Sequence, residues 1–298
     1  MSRIRPASIR PASLRSTALA GLAAAALALT ACAGTAGSPA TTGGAAASGE
    51  SSASAPALET VTPGKLTIAT GEPAYSPWVE DDKPESGNGF EAAVAYAVAE
   101  QLGYPEADVV WTRSTFDSAI APGAKDWDLN IQQFSITEER KRSIDFSSPY
   151  YTTNAAIVTT EDSPAAGITS AAGLKDVSVG VATGTTTFDV VSAAVGEEPQ
   201  VFNSNDDAVL ALKSGQVDAI AVDLPTAFYL ASAEIENGVV SGQFEGTEGG
   251  DQFGIVLAKD SPLTAPVTEA VDALREDGTL NELTTQWLST AVDVPVFS

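Results

Sequence analysis

The chain of 298 residues contains no histidine and only one cysteine, Cys32. Without histidine, catalytic triads that use an imidazole base and metal sites with imidazole ligands are excluded. A single thiol cannot form an internal disulfide, so the folded part of the chain must be stabilised by its hydrophobic cores. The chain is long enough to build two such cores of modest size.

Basic residues are also scarce. The chain has 15 lysines and arginines against 39 acidic residues, and four of the arginines precede residue 16. Removal of residues 1–31 would leave 11 basic residues against the same 39 acids. Such a charge excludes a nucleic-acid-binding surface and a polybasic membrane patch. The acidity itself is typical of a soluble surface in a crowded exterior.

Motifs for bound cofactors and metals are missing as well. Residues 183–187 lack the lysine of a nucleotide-binding P-loop, and the glycine pattern at residues 87–92 follows a polar loop rather than a strand. The acids at residues 80–82 do not have the spacing of a calcium-binding EF-hand loop. We therefore expect neither a cofactor nor a metal.

The N-terminus predicts export from the cytoplasm. Arg3, Arg5, Arg10 and Arg15 precede an apolar stretch at residues 17–29, and no acid lies among them. A basic region followed by an apolar region is typical of a signal peptide. The apolar stretch is shorter than the ~20 residues that a membrane-spanning helix requires. Residues 1–31 are predicted to be this signal.

The Leu-Thr-Ala-Cys run at residues 29–32 resembles the lipobox of bacterial lipoproteins. In those proteins the signal is cut before the cysteine, which then carries acyl chains. We expect Cys32 to anchor the protein to the outer face of the cell membrane in this way. The alternative is an ordinary secretory signal in which Cys32 is incidental.

Residues 32–63 consist mostly of Ala, Gly, Ser, Thr and Pro. These residues bury too little apolar surface to fold. They are predicted to form a flexible tether, whose root-mean-square span would be roughly 30 Å.

Strands and helices alternate from Lys65 onwards, which favours an α/β fold with parallel sheets covered by helices. The apolar patterns predict strands at residues 66–69, 109–111, 127–131, 155–159, 177–181, 201–202, 217–222 and 253–257. They predict helices at residues 89–102, 116–120, 185–195, 204–213, 224–235, 263–276 and 280–288. Residues 119–132 and 211–222 repeat one helix–lysine–turn–strand pattern. This repeat indicates two similar lobes, whose strand ends would face each other across a ligand-binding cleft.

Three segments could bind a small molecule at those strand ends. Ser135 and Arg140 follow one strand, and a guanidinium fork suits a carboxylate, although the charge pattern alone favours an exposed helix surface. Thr185 and Thr186 follow Gly184 and open a helix, which makes either an anion site or an ordinary capped turn. Asp223 ends a third strand, where it could hold an ammonium group, cap the next helix, or do both.

In order along the chain, these segments resemble the solute-binding proteins of polar amino acid ABC importers, the bacterial family 3 group. The resemblance covers residues 65–288. Its most specific part is the Ser-Ile-Thr-Glu-Glu-Arg run at residues 135–140, followed by Asp-Phe-Ser-Ser-Pro-Tyr-Tyr at residues 145–151. Further matches are Gly-Phe-Glu at residues 89–91, the strand with Asp128, residues 179–186, and residues 217–220 before Asp223.

The resemblance implies a type II periplasmic-binding-protein fold, in which two α/β lobes joined by two hinge strands close over one amino acid. By this likeness Arg140 would pair with the ligand's α-carboxylate, assisted by Ser135, Thr185 and Thr186. Asp223 would hold the α-ammonium group.

The remaining implied contacts concern the ligand's side chain. Tyr75 and Phe116 would pack against it, while Glu72 and Gln132 fall where family members vary with their ligand. Glu91 stands where the family usually has aspartate. Acidic Glu72 favours a cationic side chain, whereas Gln132 and Gln133 favour an amide or an acid.

The expected first lobe comprises residues 64–153 and 251–298, and the second comprises residues 154–250. We expect a monomeric, non-enzymatic binding protein that delivers a free amino acid to an ABC permease. Two alternatives are a cyclohexadienyl dehydratase-like enzyme, for which Glu72 is the candidate general acid, and a ligand-sensing binding protein.

Overall fold

The computed structural model describes residues 58–245, 250–288 and 294–297. Three predicted features lie outside the described residues: the signal at residues 1–31, the lipidation site at Cys32 and most of the tether. In the part of the chain that is described, no helix is long and apolar enough to cross a membrane.

The described residues form two five-stranded sheets, of which the first has the order β2-β1-β3-β10-β4. Strand β1 (Leu66–Thr70) pairs in parallel with β2 (Val109–Arg113) and β3 (Leu129–Asn130). Strand β10 (Asp251–Ala258) runs antiparallel to β3 and to β4 (Ile144–Thr153). The carboxyl ends of β1 and β3 therefore lie side by side.

The second sheet has the order β7-β6-β8-β5-β9. Strand β6 (Val179–Ala182) is parallel to β7 (Gln200–Phe202) and to β8 (Ala219–Asp223). Strand β5 (Ala155–Thr160) is antiparallel to β8 and to β9 (Gly238–Gln243). Thus β6 and β8 also end side by side, and they carry the segments that contain Gly184 and Asp223.

The prediction of parallel sheets was wrong, because both sheets are mixed. The chain passes from β4 directly into β5 and returns from β9 into β10, so each sheet receives strands that run against its parallel core. Strand β4 was not predicted because its polar residues and Pro149 interrupt the apolar pattern. Proline is tolerated there because β4 lies at the edge of its sheet.

The predicted helices lie within one residue of the observed ones, with one exception. Residues 224–235 form a short α-helix that ends at Tyr229 and continues as a π-helical turn, Leu230–Glu234. The α-helices in the described part of the chain are α1 (Phe90–Gln101), α2 (Phe116–Ile120), α3 (Thr186–Val195), α4 (Asn205–Lys213), α5 (Leu224–Tyr229), α6 (Thr264–Glu276) and α7 (Thr279–Trp287).

Each sheet has its own hydrophobic core. Helices α1, α6 and α7 bury Val94, Val267 and Leu280 against one face of the first sheet. Helix α3 buries Val191 on one face of the second sheet, and α4 buries Leu212 on the other. The two sheets therefore have separate cores among the described residues.

The last described residues lie against the second sheet. Val296 forms a parallel bridge with Gln243, and the ring of Phe297 packs 5.2 Å from that of Phe244. Gly242 permits this approach, since a Cβ atom there would lie 2.6 Å from the Phe297 ring. Residues 294–297 thus pack against β9, although the predicted boundaries place them with the first lobe.

Candidate ligand-binding cleft

A cavity of about 180 Å³ lies between the strand ends of the two sheets. The segments that follow β1 and β3 form one wall, and those that follow β6 and β8 form the other. All nine residues predicted to bind the ligand line this cavity: Glu72, Tyr75, Phe116, Gln132, Ser135, Arg140, Thr185, Thr186 and Asp223. Their contact with a ligand stays a prediction.

Arg140 spans the cavity from one half of the protein to the other. Its Nη1 donates to the Ser135 carbonyl at 2.7 Å, and its Nη2 donates to the Gly184 carbonyl at 2.7 Å. The Arg140 main-chain N–H donates to Thr137 Oγ1 at 3.1 Å. Thr137 therefore precedes a 3₁₀ turn that begins at Arg140 and ends at Arg142.

The guanidinium of Arg140 is a buried cation. Its side chain lies over the Phe116 ring at 5.3 Å, and burial lowers its pKa from the ordinary value. Among the described residues no carboxylate lies within 4.0 Å of it. Two of its five N–H donors are used by carbonyls. A buried cation without an ion-pair partner favours binding of an anion.

The start of α3 adds further donors beside Arg140. Thr186 is the first residue of this ten-residue helix, and its Oγ1 lies 3.0 Å from Ser135 Oγ and donates to Asp251 Oδ2 at 2.8 Å. The N–H groups of a first helical turn have no partner within the helix, so they attract anions. Gly184 makes the preceding turn with a φ of 71°, and a Cβ atom there would lie 2.6 Å from Asp117 Oδ1.

Asp223, at the end of β8, lines the same cavity. Its carboxylate caps α5 by accepting from the Thr226 N–H at 2.9 Å and from Thr226 Oγ1 at 2.7 Å. Burial, with a smaller contribution from Asp251, raises the pKa of Asp223 to about 6. The predicted role as a helix cap is confirmed, and the same carboxylate lines the cavity.

The rest of the cavity wall combines aromatic rings with oxygen acceptors. The Phe116 ring packs 4.7 Å from Phe134, and burial followed by nearby Asp206 raises the pKa of Tyr75. Gln132 Oε1 is buried and has no hydrogen-bond partner among the described residues. With the Glu72 carboxylate, it makes this end of the cavity rich in acceptors.

One network behind the cavity wall was not predicted from the sequence. Glu91 on α1 is fully buried and accepts from the Gln133 main-chain N–H at 2.8 Å, from Gln133 Nε2 and from the Tyr150 hydroxyl. Burial raises the pKa of Glu91 to about 7, against the lowering effect of these donors. Gln133 itself lines the cavity with a φ of 48°, so Glu91 fixes a strained part of its wall.

Asp251, at the start of β10, also lines the cavity and was missed. It lies more than 100 residues after Ser135 in the chain and belongs to no recognisable motif. Only the return of the chain to the first sheet brings it near Thr186 and Arg140.

Comparisons with known proteins agree with this architecture. The family model described as bacterial extracellular solute-binding proteins, family 3, matches residues 66–290. The arginine-binding extracellular protein ArtP of Bacillus subtilis is 31% identical over 232 residues, which cover 76% of this chain and 88% of that protein. The L-cystine-binding protein TcyJ of Escherichia coli is 28% identical over 230 residues, which cover 76% of this chain and 84% of that protein.

Solved structures show the same fold. An ancestral arginine-binding protein bound to glutamine superposes with a TM-score of 0.64 at 30% sequence identity. The match covers 76% of this chain and 98% of that structure. The expected type II periplasmic-binding-protein fold is therefore confirmed.

Proposed function

Because the chain belongs to family 3 of the bacterial extracellular solute-binding proteins, we propose that it is the lipid-anchored substrate-binding protein of an ABC importer. It captures a free polar amino acid outside the membrane and delivers it to the permease. One observation supports this most strongly: Arg140 and Asp223, which have opposite charges, face the same cavity. A zwitterionic amino acid presents the complementary pair of charges.

In this proposal the α-carboxylate of the ligand binds between Arg140 and the first turn of α3. The guanidinium can donate two parallel hydrogen bonds to the two carboxylate oxygens. Ser135 and Thr186, whose hydroxyls lie 3.0 Å apart, complete the site, and Thr185 shapes the turn by donating to the Ala182 carbonyl at 2.8 Å. The α-ammonium group binds the Asp223 carboxylate.

The side chain of the ligand would then extend toward Glu72 and Gln132, between Tyr75 and Phe116. Because Gln132 Oε1 is buried without a partner, we propose that it accepts a hydrogen bond from the ligand. Side chains that end in N–H donors, such as a guanidinium or an amide, fit this requirement. ArtP is named for arginine, and the ancestral protein was solved with glutamine bound.

Binding would be coupled to closure of the lobes. We propose that the first lobe comprises residues 64–153 with 251–288, and that the second lobe comprises residues 154–250, against which residues 294–297 pack. The β4–β5 and β9–β10 connections act as hinges. The contact between Ser135 and Thr186 and the bond from Arg140 to Gly184 join the two lobes across the cavity. A ligand favours this closed arrangement because only there does it contact both lobes.

A thermal-shift screen of the purified protein against the twenty amino acids tests this function. A ligand at 100 times its Kd stabilises the folded state by ~2.7 kcal/mol, which should raise Tm by roughly 5–10 °C. We expect one or a few polar amino acids, with N–H donors in their side chains, to produce this shift.

Two derivatives of the best amino acid serve as matched controls. Its N-acetyl form lacks the ammonium group and its carboxamide lacks the carboxylate, so neither should stabilise the protein. The proposal fails if none of the twenty amino acids shifts Tm, and turnover of prephenate by the pure protein would instead support the dehydratase-like alternative.

Replacing Cys32 by serine tests the proposed lipid anchor. Since serine cannot take the thioether-linked lipid, we expect Cys32→Ser to be released into the medium while wild-type protein stays with the membranes. Mass spectrometry of the mature N-terminus, with cell fractionation, makes the measurement. Released protein should bind its amino acid with unchanged affinity while cellular uptake falls. A Cys32→Ser protein that partitions with membranes as the wild type does would contradict the anchor.

A further inference from the structure

A chain of hydrogen bonds links the two lobes directly behind Asp223. The indole Nε1 of Trp78 donates to Thr226 Oγ1 at 2.8 Å, and Thr226 Oγ1 donates to Asp223 Oδ2 at 2.7 Å. Trp78 follows β1 in the first lobe, whereas Thr226 and Asp223 belong to the second lobe. We call the bonds from Trp78 through Thr226 to Asp223 the relay. The relay is complete only while the lobes are in contact at this point.

The direction of the protons in this relay is fixed by chemistry. An indole N–H can only donate, so Thr226 must be its acceptor. The single hydroxyl proton of Thr226 is then available for the carboxylate, and Asp223 Oδ2 lies in position to accept it. The Thr226 hydroxyl therefore donates a hydrogen bond to the charged form of Asp223.

The relay is also held rigidly. Trp78 is fully buried, and Thr226 is 3% exposed. The Trp78 ring packs edge-on against three aromatic rings, those of Phe90, Tyr151 and Phe253, with centroids 5.7–5.9 Å away. An indole packed in this way cannot turn to another acceptor without displacing its neighbours.

We propose that Trp78 and Thr226 are positioning residues for ligand binding, which hold Asp223 charged and correctly oriented for the ammonium group of the amino acid when the lobes close. This inference rests on the proposed function. Neither residue lines the cavity, so they act on the ligand only through Asp223.

The electrostatic surroundings of Asp223 explain why it needs such support. Among the described residues, the hydrogen bonds that other residues donate to its carboxylate come from the Thr226 N–H and the Thr226 hydroxyl. The ionisable groups that face it from other elements are acids and phenols: Asp251 of β10, Glu91 of α1, and Tyr150 and Tyr151 of β4. None of them supplies positive charge, and burial already raises the pKa of Asp223 to about 6.

Thr226→Val tests the relay, because valine has the shape of threonine without its hydroxyl. Loss of the donor should raise the titration midpoint of Asp223 by about one pH unit. Since a proton on Asp223 competes with the ligand ammonium, Kd at pH 6 should weaken by at least about fivefold. Thr226→Ser restores the hydroxyl and should return both quantities to near wild type.

The midpoint is measured on ligand-free protein by carbon-13 NMR of the aspartate carboxyl groups, with the Asp223 signal identified by its loss in Asp223→Asn. The ligand affinity is measured by titration calorimetry between pH 5 and pH 8. Trp78→Phe should weaken the ligand affinity by a smaller factor than Thr226→Val, because in the closed form the Thr226 hydroxyl keeps its proton but loses its fixed orientation.

Two matched controls separate the relay from general effects of these substitutions. Thr264→Val removes another threonine-to-aspartate bond, to Asp145 at 3.0 Å, away from the cavity. Trp111→Phe removes another indole donor, which bonds the Tyr96 hydroxyl at 3.1 Å. Neither should change the midpoint of Asp223 or the ligand affinity.

An Asp223 midpoint that is unchanged in Thr226→Val overturns the inference, and so does an affinity that serine fails to restore. If the proposed function itself is wrong, the result is distinguishable, because the wild-type protein would then bind no amino acid. The titration of the ligand-free protein still decides in that case whether the Thr226 hydroxyl sets the charge of Asp223.

Discussion

Arg140→Ala is expected to bring amino acid binding below detection while the protein stays folded. The substitution removes two charge-assisted hydrogen bonds to the ligand carboxylate, each of about 1.5–3 kcal/mol. Their combined loss corresponds to a roughly 10²–10⁴-fold weaker Kd. It also leaves the carboxylate without a counter-charge in a site where water is largely excluded. Titration calorimetry with the amino acid identified by the thermal-shift screen makes the measurement.

Stability should change little by comparison. Arg140→Ala loses the two bonds to the carbonyls of Ser135 and Gly184, but it also removes the unfavourable burial of a cation. We expect the free energy of unfolding to change by no more than about 1–2 kcal/mol, as judged from denaturant titration without ligand.

Two variants make the assignment of Arg140 specific. Arg140→Lys keeps the charge but loses the planar fork, so it should bind detectably but at least about tenfold more weakly than wild type. Arg142→Ala removes an exposed arginine from the same turn and should bind normally. Wild-type affinity in Arg140→Ala would show that the carboxylate binds elsewhere.

The sequence predicts the helices of this protein well because their apolar faces repeat with the helical period. The sequence carries no comparable pattern for whether two paired strands run parallel or antiparallel. The apolar strand β10 has the same composition whether it runs with β3 or against it, and only tertiary pairing decides. Strand β4 escapes prediction for a related reason, since its buried positions are separated by serines and Pro149 at the edge of the sheet.

The candidate site was predictable largely through the family resemblance. From charge alone, Arg140 is typical of an exposed helix surface, yet the structure buries it between Ser135 and Gly184. Contacts that carry no local motif were not predictable. Trp78 and Thr226 lie 148 residues apart in the chain, and neither has a signal that points to the other.

Glu91 is an intermediate case. The sequence shows that Glu91 replaces the family's usual aspartate, but it does not show what the longer side chain contacts. In the structure the longer side chain reaches both the main chain and the side chain of Gln133, which lines the cavity. The longer side chain thus supports the cavity wall through Gln133.

Asp223→Asn is expected to weaken amino acid binding by about two orders of magnitude and to remove its dependence on pH. In wild type the charged carboxylate binds the ammonium group, and the pKa of Asp223 is raised to about 6. Affinity should therefore be constant above about pH 7 and fall nearly tenfold for each pH unit below about pH 6. Asparagine stays neutral, so the fall in affinity that protonation of Asp223 causes below about pH 6 should be absent.

Although Asp223→Asn should weaken binding, it should increase the stability of the ligand-free protein. Because the pKa of Asp223 is higher in the folded protein than in the unfolded chain, its charged form destabilises the fold above about pH 6. Asparagine keeps an oxygen that can cap the Thr226 N–H, and it carries no charge. Ligand-free Asp223→Asn should therefore have a higher Tm than wild type at pH 8, and this gain should vanish near pH 4.

Asp277→Asn, at an exposed aspartate, should change neither affinity nor the pH profile. Equal losses of affinity and of stability in Asp223→Asn would show that Asp223 is only a helix cap. A loss of affinity together with a gain in stability would instead mean that the charge of Asp223 destabilises the ligand-free protein and serves ligand binding. A ligand ammonium group that neutralises this charge on closure is the physical reason for keeping it.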